Sequence, residues 1–190
     1  NCSLLYERVK EEDIDILINN AGFGMAGEFI HGDLDRELQM INTNIKALHI
    51  LTKLFLKDFV HRDYGYILNV ASAAAFLSGP LMATYYATKA YVRNFTLALR
   101  KEMQKANAHV YISALCPGPV QTEFSEVAQV KFALRGKSSM EVAKMAVDGM
   151  LGQKAQIIPG GLMKAAYVCC KLMPLFVLSE ASYHIQKRKE

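Results

Sequence analysis

Short apolar runs of strand length alternate with long segments of helical period, and this alternation constrains the fold more than any other feature of the chain. The runs are residues 15–19, 66–71, 110–115 and 155–158. Between the first two, Leu34, Leu38, Ile41, Ile45, Leu48, Leu51 and Phe55 recur mostly three or four apart, which predicts one long helix over 33–59 capped by Asp33 or Asp35. Residues 83–103 repeat the habit through Ala87, Ala90, Val92, Phe95, Leu99 and Met103, with Lys and Arg gathered at the C-terminal end, where the macrodipole favours them. Ser138 and Glu141 form a capping box that opens a helix over 142–151, and Gly152 suits its stop. Residues 1–10 lack an initiator Met, a basic leader and a cleavage site, and read as the interior of a helix. Strands separated by crossover helices predict an α/β fold: a doubly wound parallel sheet flanked by helices on both faces, in three layers α/β/α.

Composition sets the remaining bounds. With 190 residues, 52% hydrophobic and 21% charged, the chain supports one packed core and reads as a single domain over 1–190, with 160–190 as its C-terminal helical extension. The net charge of +4 is spread along the chain except at Lys187, Arg188 and Lys189, a solvated tail rather than a nucleic-acid patch. Cys2, Cys116, Cys169 and Cys170 form no C-x-x-C pair, so the thiols are expected reduced and the protein cytoplasmic. The five histidines are scattered, and no metal site is expected. The most apolar stretch, 162–178, is interrupted by Lys164, Lys171 and Pro174 and barely reaches the ~17 residues needed to span a bilayer. It reads as a buried or interfacial helix. Residues 162–185 fit a membrane-surface or partner-docking helix pair, and equally a cover for a substrate pocket or a subunit interface.

Ligands of parallel sheets bind outside the carboxyl ends of the strands, so the loops 20–24, 72–75 and 116–122 should carry the chemistry. All three hold small residues that let a ligand approach the backbone. At the start of the second long helix, Tyr85 and Lys89 stand four apart on one face. The spacing alone says little, since it recurs at Tyr6/Lys10, Tyr167/Lys171 and Tyr183/Lys187. Context separates them: only Tyr85 has a serine, Ser72, thirteen positions upstream at an expected strand end. It is also the one flanked by Asn19-Asn20-Ala21-Gly22 before it and Pro117-Gly118-Pro119-Val120-Gln121-Thr122 after it. No Gly-x-Ser-x-Gly is present and no histidine lies near Ser72 in sequence, which argues against a hydrolase.

This constellation resembles the short-chain dehydrogenase/reductase family over almost the whole chain, from about Asp15 onward. The resemblance implies a Rossmann-type sheet, NAD or NADP as cofactor with NADP favoured, and hydride transfer between nicotinamide and a carbonyl or secondary alcohol of a small molecule; the apolar residues of 123–137 suit a lipophilic one. It implies catalytic roles for Asn44, Ser72, Tyr85 and Lys89. Tyr85 would be the general acid in reduction and the base in oxidation, with Ser72 orienting the substrate oxygen. Bringing a phenol from about 10 to near 7 requires roughly 4 kcal/mol, which Lys89 at about 4 Å would supply at an effective dielectric of about 20, with the oxidised nicotinamide adding to it. Asn44 is chosen over Asn42 because Asn-Ile-Lys-Ala matches the family's Asn-Leu-x-Gly, with Ala47 in place of the usual Gly. Polar residues within a long helix also fit a local distortion whose freed carbonyl binds a relay water. Cofactor contacts are implied at Asn20, Ala21 and Gly22, with Asn20 also bracing the sheet, and at Tyr85, Lys89, Pro117, Gly118, Val120 and Thr122. Residues 123–137 fall where the family has its variable substrate lid. Within them Phe124, Val127, Val130, Phe132 and Leu134 suit either a greasy pocket or core packing. A homodimer or homotetramer is expected, without nucleic acid or metal. The alternative is a non-enzymatic dinucleotide-binding sensor or scaffold on the same fold.

The family's Gly-rich phosphate loop, Thr-Gly-x-x-x-Gly-x-Gly, is nowhere in these residues, nor are the three strands expected before Asp15. The expectation is therefore the tail of a longer protein, whose residue choosing NAD or NADP lies upstream. The 190 residues alone should bind no dinucleotide measurably.

Overall fold

The computed structural model describes residues 2–128 and 136–187. In chain order, α1 (Cys2–Val9) leads to β1 (Ile16–Asn19), then α2 (Leu34–Ile41), a π-helical stretch (Asn42–Ala47) and α3 (Leu48–Arg62). Next come β2 (Gly65–Val70), a 3-10 turn (Ala73–Phe76), α4 (Ala83–Lys105) and β3 (Val110–Leu115). The rest comprises β4 (Val120–Gln121), α5 (Phe124–Val127), β5 (Lys137–Ser138), α6 (Ser139–Leu151), β6 (Gln156–Ile157), α7 (Gly161–Leu172) and α8 (Leu175–Lys187). The main sheet is parallel throughout, in the order β1-β2-β3-β6, and β4 and β5 form a separate parallel pair.

The period of two along β2 divides the layers. Ile67 points with Val110 and Ile112 into a cluster with Phe55, Leu56 and Phe59 of α3, while Leu68 packs with Leu115 and Ile157 against Val142, Ala146 and Met150 of α6. Helices thus cover both faces, and the doubly wound three-layer α/β/α architecture is as the alternation implies. Each of these large side chains, fully buried, contributes roughly 1.5–3 kcal/mol.

A polar seam crosses the core under the site. Asn19 Nδ2 donates to Thr52 Oγ1 at 3.0 Å and to Asn69 Oδ1 at 2.8 Å. Asn69 Nδ2 donates to Thr96 Oγ1 at 3.0 Å, and Thr96 Oγ1 to the Val92 carbonyl at 2.6 Å. The seam is buried and satisfied, so it fixes β1, β2, α3 and α4 in one register. Asn20 is exposed, so the bracing assigned to it belongs to its neighbour Asn19. The strand period decides this, because Asn19 points inward and the next residue has left the strand.

The helix expected over 33–59 runs on to Arg62 and is broken in register by the π-helical stretch around Asn44. Asp33, not Asp35, is its cap, accepting from the amides of Asp35 and Arg36 at 2.9 and 3.4 Å. Ser138 caps α6 by accepting from the Glu141 amide at 3.1 Å, but the Glu141 carboxylate pairs with Lys137 instead of closing the box.

Candidate active site

The carboxyl ends of β1, β2 and β3 open on one edge of the sheet, and their loops converge there. The Ala73 amide donates to the Pro117 carbonyl at 2.8 Å, joining the loops after β2 and β3. Ser72 stands at the end of β2 as the cap of the 3-10 turn, and its Oγ accepts from the Ala74 amide at 3.1 Å. The hydroxyl proton is left to donate elsewhere. Tyr85 and Lys89 occupy the first two turns of α4, and both are buried.

Lys89 Nζ donates to the Val70 carbonyl at 2.9 Å and lies 5.9 Å from the centre of the Tyr85 ring. Burial lowers its pKa from the ordinary 10.5 to about 8. Burial also raises the Tyr85 phenol to about 12, against a downward pull from its hydrogen bond with Ser72. The ammonium is turned toward Val70; the expected lowering of Tyr85 involves the oxidised nicotinamide as well as Lys89.

Asn44 is buried within the π-helical stretch. Its Nδ2 donates to the Phe23 carbonyl at 2.9 Å and to Thr88 Oγ1 at 3.1 Å, while its Oδ1 accepts from the Phe23 amide at 3.1 Å. Both amide hydrogens and one oxygen lone pair are used, so Asn44 clamps the loop after β1 onto α4. A Cβ at Gly22 would stand 2.9 Å from Asn44 Oδ1 and 3.2 Å from Lys89 Nζ, so only glycine lets that loop pass so close to both.

Asn20, Ala21 and Gly22 are exposed at the end of β1, and Pro117, Gly118 and Val120 are partly buried after β3. Thr122 is exposed, and its hydroxyl oxygen accepts from the Phe124 amide at 3.3 Å. Phe124 packs on Tyr85 with ring centres 5.3 Å apart, within a cluster that includes Met25, Met40, Met82 and Ala128. Val127 is exposed, and Val130, Phe132 and Leu134 lie outside the described residues. Sequence reasoning missed Thr88, which anchors Asn44 and donates to the Tyr85 carbonyl at 2.7 Å. It also missed Glu37, buried and accepting from Thr84 Oγ1 at 2.8 Å beside Tyr85. Glu37 was legible only as one carboxylate on an otherwise apolar helix face, a weak signal.

Among the described residues no group of three His, Cys, Asp or Glu is placed to hold a metal. The Cys116 thiol is buried, and burial pushes it up to about 12, which makes it an inert core side chain.

The sequence profile of short chain dehydrogenases matches residues 2–131. The chain belongs to that family. A probable NADP-dependent dehydrogenase of Haemophilus influenzae is 40% identical to this short-chain dehydrogenase over 116 residues, covering 60% of the chain and 45% of the relative. Very-long-chain 3-oxoacyl-CoA reductase-B of Danio rerio is 29% identical over 189 residues, covering 94% of the chain and 60% of the relative. A solved short-chain dehydrogenase from Sphingobium yanoikuyae, in complex with NADPH, superposes with a TM-score of 0.79 at 27% identity, over 90% of this chain and 67% of that one. The chain spans about half the length of the curated relatives it matches, 45% of the Haemophilus influenzae protein and 44% of an NADP-dependent 3-hydroxy acid dehydrogenase of Schizosaccharomyces pombe.

Proposed function

We propose that this short-chain dehydrogenase forms the catalytic part of an NADP(H)-dependent oxidoreductase acting on a lipophilic carbonyl or secondary alcohol. The observation that carries the reading is the convergence of Ser72, Tyr85, Lys89 and the Asn44 clamp at the carboxyl ends of three parallel strands. The NADPH-bound relative and the NADP-dependent relative support the cofactor. The apolar cluster of Met25, Met40, Met82 and Phe124 around Tyr85 supports a lipophilic substrate.

The residues present fit the nicotinamide half of a dinucleotide. Gly22 keeps the backbone open beside Lys89, and small or side-chain-poor residues line the loops after β1 and β3. Asn20, Ala21 and Gly22 would hold the ribose side, Lys89 the ribose hydroxyls, and Pro117, Gly118, Val120 and Thr122 the nicotinamide side. The bound dinucleotide supplies or accepts the hydride at the carbonyl carbon.

In reduction, Tyr85 gives its phenolic proton to the substrate oxygen as negative charge develops there, and Ser72 donates a hydrogen bond to the same oxygen. Burial keeps the phenol protonated at neutral pH, the form the acid role requires. Lys89, lowered to about 8, sits close to the pH at which it gains or loses a proton, which suits it to return the proton to Tyr85. The π-helical register at Asn42–Ala47 supports a local distortion of the helix at which a backbone carbonyl would hold the relay water.

The test is Tyr85→Phe in the full-length protein. Carbonyl reduction across a panel of ketones should fall at least about a thousandfold while NADPH affinity changes little. Retained turnover would remove Tyr85 from this role, and tight NADPH binding by the unsubstituted protein with no turnover of any ketone would favour the sensor reading.

A further inference from the structure

The outer face of α7 and α8 has no part in the site and no cover among the described residues. At the elbow where the two helices meet, Leu172, Leu175 and Phe176 are 80%, 79% and 76% exposed, and Leu162 and Val168 of α7 are exposed as well. Large apolar side chains scattered singly on a surface are ordinary, but three of them within five residues at one tip mark a docking site.

The elbow is held rigidly. Phe76 and the Tyr167 ring of α7 lie with centres 4.6 Å apart, and the Tyr167 hydroxyl accepts from Arg93 Nη2 at 3.1 Å. On α8, Leu178, Ser182 and Gln186 are buried, Ser179 and Ser78 share a hydrogen bond of 2.8 Å, and Gln186 Nε2 donates to the Tyr86 hydroxyl. Each helix therefore has an inner face docked on α4 or the turn after β2, and an outer face that is apolar at the elbow and turns polar along α8, where exposed Glu180 pairs with His184 at 2.9 Å.

Charge decides what fits that face. From residue 149 to residue 179 there is no Asp or Glu, while Lys154, Lys164 and Lys171 are present, the last two exposed on α7; the nearest carboxylate, Glu180, lies one turn beyond Phe176 and is paired with His184. Lys171 adjoins Leu172 at the tip and lies 4.7 Å from the Tyr167 ring centre. A two-fold contact between copies centred on the elbow would bring the Lys171 charges together. Anionic headgroups would complement them and leave the Leu and Phe side chains to enter the acyl boundary. No helix among the described residues is long and apolar enough to cross a membrane, so the elbow can lie on a bilayer but not span it.

We propose that the α7–α8 elbow is a peripheral docking surface for an anionic lipid bilayer, with Leu172, Leu175 and Phe176 inserted and Lys164 and Lys171 on the headgroups. The inference does not depend on the proposed activity. It places the site near the surface, because the first turn of α7 touches the loop after β3: a Cβ at Gly118 would stand 2.5 Å from Met163 Sδ.

Flotation with phosphatidylcholine vesicles, with and without phosphatidylglycerol, tests it on the protein as it stands. The protein should float with the anionic vesicles. It should bind about tenfold less to the neutral ones, and lose about tenfold or more on the anionic ones in Lys164→Glu/Lys171→Glu or in Leu172→Ser/Leu175→Ser/Phe176→Ser. Far-UV circular dichroism checks the folding of both variants, and the lysine pair stands alone if the apolar triple does not fold. Absence of flotation with anionic vesicles, or binding unchanged by a folded variant, overturns the proposal. So does a dimer that either variant converts to monomer without any vesicle binding.

Discussion

At the residue scale, burial distinguishes Tyr85 and Lys89 from the other pairs with the same spacing. At the surface, Lys10 pairs with Glu7, and Tyr6 is carried up to about 12 chiefly by its hydrogen bond to Asp58. Burial works upward on Tyr167 too, but hydrogen bonds from Lys171 and Arg93 carry it below its ordinary value, so a partly solvated pair does what Tyr85 and Lys89 do not. For Lys89 the fall from 10.5 to about 8 corresponds to on the order of 3 kcal/mol. Below pH 8 the folded protein carries the full penalty of a buried ammonium. Between pH 8 and 10.5 the unfolded chain binds more protons than the folded one, so stability from this group rises with pH. Lys89→Met should therefore lose carbonyl reduction in the full-length protein and yet unfold at higher denaturant below pH 8, the gain fading by about pH 10.5. A pH series of urea transitions reads this out. Equal stability of the two proteins at pH 7 would mean that the Val70 hydrogen bond compensates for the buried charge.

At the scale of elements, the π-helical stretch is the device that brings Asn44 into contact with the loop after β1. In an unbroken helix the added register would be absent and Asn44 would turn away from Phe23. Asn44→Leu leaves the Phe23 amide and carbonyl without their side-chain partner, and should destabilise the protein by on the order of 3 kcal/mol. Hydrogen exchange at the Phe23 amide should quicken well before exchange in β2 does, and unchanged protection there would show that the loop is held by other contacts. These elements also show how far the sequence could be read. β3 was legible to the residue, and the other strands of the main sheet to within one, because apolar runs bounded by turns are local signals. Ser72, Tyr85 and Lys89 were legible because strand ends and a helical i, i+4 spacing fix their places. The β4/β5 pair was not, since two residues on each side carry no period. Nor were the partners of Asn44, because its bonds to Phe23 and Thr88 span 21 and 44 residues and depend on packing.

At the scale of the molecule, the sheet has two unlike edges. β6 is followed by α7, whereas among the described residues β1 pairs only with β2, presenting Ile16 and Ile18 half exposed and an outer row of backbone donors and acceptors that no described strand pairs. Such an edge is a template for another strand. In the longer relatives, which exceed the matched segment by more than half their length, there is chain enough to supply one. The 190-residue chain on its own should then associate through β1 as its concentration is raised, because the edge and the two isoleucines are satisfied together by a second strand. Ile18→Lys places a charge at the centre of that edge, opposite Leu68 of β2, and should return the chain to monomer without loss of helix content. Sedimentation velocity across a concentration series distinguishes the outcomes. A chain that stays monomeric throughout would mean that four strands with one open edge are sufficient, and that the exposed isoleucines at β1 do not drive assembly.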